Sequence, residues 1–176
     1  MNDYSDRLVE LLGVADDVVD CGWEPTEAEI GRPVPADYKR LISHTGSAAL
    51  DDHLTVFAPH TSDEVDLAAL VRERDAAWEH LRAGGATDLP ERFFTEGRRL
   101  IAFAGVNAAY LYWNARDGVR PEDWGVVIVD ADLDNWYELE MSATECLYRV
   151  LTGEIEFAPF MGLFGRRGHS AGRFGH

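Results

Sequence analysis

The chain has 176 residues, 46% apolar and 11% aromatic, and its 16 Lys+Arg stand against 32 Asp+Glu for a formal charge of −16. Such a length suits one domain burying roughly two thirds of its unfolded surface, and the composition excludes a disordered chain. The charge excludes ligands gripped through phosphates, so neither nucleic acid nor an anionic membrane is expected; it serves solubility and attracts a basic protein.

No apolar window approaches the roughly 20 residues of a membrane span, and the start, MNDYSDRLVELLG, lacks the basic n-region of a signal peptide. Cys21 and Cys146 form no CxxC pair and read as buried free thiols of a reducing compartment.

Residues 5–19 read as a helix capped by Ser5, with Leu8, Leu11, Leu12, Val18 and Val19 along one side and Gly13 as an interruption. Asp16, Asp17 and Asp20 cluster at its expected end, where the helix dipole disfavours acids; the cluster is either a solvated face or a surface kept for a partner. Thr26 and Glu29 form a capping box, which predicts a short helix from Thr26 into Gly31. Pro35 fits the first position of the next helix, Tyr38, Leu41 and Ile42 form its apolar face, and Gly46 closes it. Leu54 to Phe57 is a short β-prone run that Pro59 stops.

Thr61 or Ser62 can cap a helix over 63–82 with Leu67, Leu70, Val71, Trp78 and Leu81 at helical spacing. Residues 86–98 read as a loop pinned to the core by Phe93 and Phe94. From Arg99 the period changes to two: a strand over 100–104, a turn at Gly105 to Asn107, and a strand over 110–114 make a hairpin. Trp124 to Val129 reads as a central strand and Trp136 to Leu139 as the next. Ser142 with Glu145 is a second capping box, Leu147, Val150 and Leu151 form a stripe, and Gly153 is the stop. Residues 161–176 hold five glycines and no period, and read as a flexible Gly/Arg-rich tail to a single domain over 1–160. The elements predict an α+β fold: one antiparallel sheet of about five to six strands, with helices mainly on one face.

The succession EAEIG, PADYKRL, the Gly after LISHT and the strand that follows resembles the SUKH superfamily, which includes bacterial immunity proteins and a fungal regulator of cell-wall assembly. LIAFAG, the aromatic strand pair and the helix after MSATE are similar in layout, so the resemblance covers roughly residues 20–155. It implies a cytoplasmic, non-catalytic immunity protein that binds a cognate toxin, a nuclease being one candidate, and occludes its active site. The fungal relative implies the alternative, a regulatory or scaffold module with a resident partner. These motifs are packing motifs, and they identify a fold better than a chemistry.

Motifs that would carry chemistry are incomplete. GHSAG at 168–172 has the spacing of a nucleophile elbow around Ser170 without the strand and helix that strain it. Asp130, Asp132 and Asp134 open like a calcium loop, but its sixth position is Asn135 and its twelfth Met141; a turn rich in Asp and Asn explains them equally. Asp51, Asp52, His53 and His60 lack a zinc spacing, and Glu138 and Glu140 alternate onto one face of a strand. No cofactor, metal or catalytic residue is therefore assigned. The candidate partner-binding residues are the acids Asp51, Asp52, Asp130, Asp132 and Asp134 and the rings Trp113 and Trp136, with Tyr112, Trp124 and Tyr137 as further aromatic anchors. Oligomeric state is open, with a monomer as the working expectation.

Overall fold

The computed structural model describes residues 3–62, 64–86, 88–165 and 168–174. Helix α1 (Tyr4–Leu11) is capped by Asp3, whose carboxylate accepts from the Ser5 N–H at 2.9 Å and the Ser5 hydroxyl at 2.6 Å. Ser5, the expected cap, is thus the first buried residue inside the helix. Gly13, at φ +67°, ends the helix: the Gly13 and Val14 N–H groups turn back onto the carbonyls of Glu10 and Val9. Residues 14–22 are non-helical, so Val18 and Val19 leave the apolar stripe expected of them and stand 68% and 50% exposed.

Helix α2 (Trp23–Ile30) begins three residues before its expected start, and Thr26 is buried within it instead of capping it. Pro25 falls in the first turn, where a missing N–H costs nothing. Glu27 ties down the exit, accepting the Val34 N–H at 2.7 Å and pairing with Lys39. In α3 (Ala36–Thr45), Tyr38, Leu41 and Ile42 are fully buried and Gly46 follows, as expected; Pro35 serves as the cap. Strand β1 (Ala48–Leu50), which the sequence did not announce, turns into β2 (Leu54–Val56).

Helix α4 (Leu67–Ala83) starts after Asp66, whose side chain accepts the Ala69 N–H at 3.0 Å. Thr61 and Ser62 are too early to cap it because residues 58–66 are tied to the end of β2 through a bridge between Ala58 and Asp66, and Asp63 lies outside the described residues. After a 3-10 turn at Glu91–Phe93 come β3 (Arg98–Val106), β4 (Ala109–Arg116), β5 (Gly125–Val129), β6 (Trp136–Leu139), α5 (Ala143–Leu151) and β7 (Ala171–Arg173). The β3–β4 turn sits at Asn107–Ala108; Gly105 is inside the ladder, paired with Tyr110. The Ser142 cap holds, its hydroxyl accepting the Glu145 N–H at 3.2 Å.

Among the described residues the strands form one antiparallel sheet in the order β6-β5-β4-β3-β2-β1-β7, so the fold is α+β with a seven-stranded sheet there. The additions to the expected five or six are β1 and β7. Residues 168–174 are therefore not a free tail. Without a side-chain period, they use backbone groups: β7 pairs with β1, and the Gly165 N–H reaches the Leu151 carbonyl at 3.0 Å. Arg166, Arg167 and residues 175–176 lie outside the described residues.

Three helices line one face. The Asp6–Arg40 pair joins α1 to α3, the Tyr4–Tyr148 ring contact joins α1 to α5, and Thr144 donates to Asp37 to join α5 to α3. From this layer Tyr38 sets its ring edge-on to Trp113 at 5.0 Å, and its hydroxyl lies between the Phe57 and Phe103 carbonyls while accepting the Phe57 N–H. Residues of β4 alternate, so Tyr112 points to the other face, where α4 brings Trp78 to 5.7 Å. With both faces covered at the centre, β5 is buried throughout and reads as an unbroken apolar run. Phe93 and Phe94 close that second face on Trp136 and Trp78, which is how the 86–98 loop is pinned.

Candidate interaction surface

Because the strands run as an antiparallel meander from β1 to β6, the connections β1–β2, β3–β4 and β5–β6 all fall at the same end of the sheet. Each needs left-handed backbone: Asp51 and Asp52 have φ of 50° and 62°, Asn107 and Ala108 of 49° and 71°, and Leu133 of 64°. Asp and Asn tolerate that region better than most side chains, so turn chemistry itself concentrates acids here. The exit of α5 reaches the same end, since the Phe164 ring meets His53 at 6.0 Å and Gly165 is bonded to Leu151. That exit carries Glu154 and Glu156, two exposed acids that the sequence did not single out.

The carboxylates at this end divide into two sets. Asp130 faces inward: its oxygens accept from the N–H groups of Asp134 at 2.9 Å and Asn135 at 3.3 Å and from the Asn135 amide at 2.6 Å. Desolvation pushes its carboxyl up, but these donors and the Leu133 N–H outweigh that and hold it below its ordinary value. Asp51 is likewise engaged, accepting the Ser170 N–H at 2.9 Å and meeting His169 Nδ1 at 2.7 Å. Asp52, Asp132, Asp134 and Glu154 are exposed, and among the described residues no cation lies within ion-pairing distance of them.

The far end carries arginines as well as acids. Arg98, Arg99 and Arg116 stand where β3 and β4 are furthest from their shared turn. Several acids there are taken up: Asp117 by Arg32, Asp75 by Arg99 at 2.5 Å, Glu140 by Arg116 at 3.8 Å and Asp123 by Arg120 at 2.9 Å, while Glu96 and Glu122 are exposed without an ion pair among the described residues. Glu138 meets Arg92 at 3.2 Å and accepts from Asn114 at 3.3 Å, so Glu138 and Glu140 are ion-pair partners and not an acid/base couple in an apolar setting.

Aromatic anchors fare differently from the acids. Trp113 is 1% exposed and stacked on Phe103 at 4.7 Å, which removes it from any contact surface. Tyr112 and Trp124 are buried too, and Trp124 donates to the Val119 carbonyl at 3.2 Å. Trp136 is half-buried, stacked on Phe93 at 5.5 Å and donating to the Leu133 carbonyl at 2.9 Å, so it braces the β5–β6 turn. Tyr137 leans on Phe157 at 4.9 Å. Of the residues predicted for partner contact, the structure thus leaves Asp52 exposed in the β1–β2 turn and Asp132 and Asp134 exposed in the β5–β6 turn, at the same end of the sheet with the β3–β4 turn between them; it uses Asp51, Asp130 and Trp136 to build these turns and places Trp113 in the core.

Oxygens of Asp130 that a calcium loop would aim at the ion are occupied by N–H groups, and among the described residues no three His, Cys, Asp or Glu side chains converge as a metal site requires. Ser170 precedes a three-residue edge strand, with no strand-to-helix turn behind it. Burial pushes the Cys146 thiol up to about 12, which leaves it a core side chain. No helix among the described residues is long and apolar enough to cross a membrane. No protein-family model, curated protein or solved structure matches the chain.

Proposed function

We propose that the protein is a non-catalytic immunity protein of the SUKH type, which neutralises a cognate toxin by seating its acidic turn end in a cationic active-site cleft. The observation carrying this reading is the charge pattern: Asp52, Asp132, Asp134 and Glu154 stand without counterions among the described residues at one end of the sheet, while at the other end Arg32, Arg99, Arg116 and Arg120 each pair with an acid. Like charges gathered on one surface repel each other, and a cationic surface relieves that repulsion on contact. A cleft that cuts nucleic acid is built to hold an anion, so the same potential steers an acidic plug into it and makes the plug compete with substrate. The packing motifs EAEIG and PADYKRL support immunity proteins as the kind of binder. Protection of this sort operates in the cytoplasm of the cell at risk.

The test is co-expression with the product of a neighbouring gene that carries a variable C-terminal domain, scoring survival and co-purification. Rescue and a stable complex are expected. Reversing Asp132 and Asp134 to Lys should slow association about tenfold at low salt, and raising ionic strength should slow the wild type similarly. Rescue indifferent to both changes removes the electrostatic account, and failure of rescue with every neighbouring product removes the immunity reading.

A further inference from the structure

A second surface lies along the edge of the sheet occupied by β7, which pairs with β1 on one side and is last in the strand order. The Asp51 N–H donates to the Ser170 carbonyl at 2.9 Å and the Phe174 N–H to the Ser47 carbonyl at 3.2 Å. By the alternation of an antiparallel ladder, the N–H and C=O groups of Ala171 and Arg173 therefore point away from β1. At the Arg173 end of this strand lies a groove of about 230 Å³, walled by the 19–21 segment, the 45–47 turn, residues 58–61 and Phe174. Its rim holds large apolar side chains that the fold leaves in water: Val19 is 50% and Phe174 40% exposed, and Val18 beside them is 68% exposed. Open backbone groups on an edge strand, with an apolar groove where the strand ends, are the two parts by which a sheet accepts an extended peptide.

We propose that this edge binds an extended segment of a partner protein in which apolar residues alternate with lysine or arginine, adding it to β7 as a further strand with an apolar side chain in the groove. Charge selects that occupant. Asp20 lines the groove, and the arginine there, Arg173, is already paired with Asp17 at 3.2 Å. A second copy of the chain, itself at −16, would bring the same aspartates against these, whereas a basic segment is attracted. Cys21 on the groove wall has its thiol pushed up by burial and by Asp20, which suits binding and not covalent chemistry. The proposal is independent of the acidic end and of what that end neutralises.

The probe is a short synthetic peptide alternating Val and Lys, labelled for fluorescence anisotropy, titrated with the full chain at about 0.15 M salt. Ala171→Pro removes an outward N–H while keeping the ladder to β1, and should weaken binding about tenfold, the worth of one or two backbone hydrogen bonds. Val19→Ser, a change at an exposed side chain, should weaken it as well, and a peptide with Glu in place of Lys should not bind. Asp132→Lys with Asp134→Lys should leave the affinity unchanged. The proposal is overturned by absence of binding, by binding that survives both Ala171→Pro and Val19→Ser, or by binding lost only on reversal at Asp132 and Asp134. Concentration-dependent dimerisation abolished by Ala171→Pro would overturn it in favour of a second copy.

Discussion

Asp130 and Asp132 stand two residues apart in one turn, yet their carboxylates have different work. Asp130 organises the loop through three hydrogen bonds, and Asp132 makes no hydrogen bond or ion pair among the described residues. Asp130→Ala should therefore cost about 1 kcal/mol in urea unfolding, and Asp132→Ala should stay within about 0.5 kcal/mol of wild type. The Asp130 carboxyl is held below its ordinary 3.8, so its contribution is complete above that pH and is lost as pH falls through the lower native value. The gap between wild type and Asp130→Ala should be constant from about pH 7 to 5 and shrink as pH falls below the ordinary 3.8 through the lower native value; a gap unchanged through acid unfolding would mean the carboxylate is not the acceptor. Trp113 shows where reading single residues stops. An aromatic on a strand faces a partner or the core according to which side is covered, and β4 is buried on both, so alternation alone offers no answer.

Helices were legible where an apolar stripe met a stop: Tyr38, Leu41 and Ile42 before Gly46, and Leu147, Val150 and Leu151 before Gly153, are all buried as their spacing requires. Starts were less so. Thr26 with Glu29 satisfies the capping-box pattern from inside a helix, because the pattern records residue types and not the backbone entering them. The caps in use at α1 and α4 are the aspartates Asp3 and Asp66. Asp66→Ala should lower stability by about 1 kcal/mol in thermal or denaturant unfolding, and Ser62→Ala should leave it within about 0.5 kcal/mol. An equal cost at both positions would move the helix start back toward residue 62. Strands β1 and β7 escaped notice because Ala-Ala-Leu and Ala-Gly-Arg carry no alternation; only the ladder defines them.

At the scale of the molecule, acids spread along the chain are carried to one end of the sheet because the β1–β2 and β5–β6 turns share it. Composition announced the excess charge, and topology decided where it is left unmatched. If those carboxylates serve a partner and not the fold, Asp132→Asn with Asp134→Asn should leave the melting temperature unchanged or higher, and salt between about 0.02 and 0.2 M should raise it by screening self-repulsion. A loss above about 1 kcal/mol in the double variant would assign these acids to the architecture instead. The position of β7 also bears on biosynthesis. Residues 48–50 leave the ribosome long before residues 171–173, so throughout translation the flank of the nascent sheet that β7 will cover has no intramolecular partner. Chaperone occupancy, or clumping of chains stalled before Ala171, should concentrate in that interval.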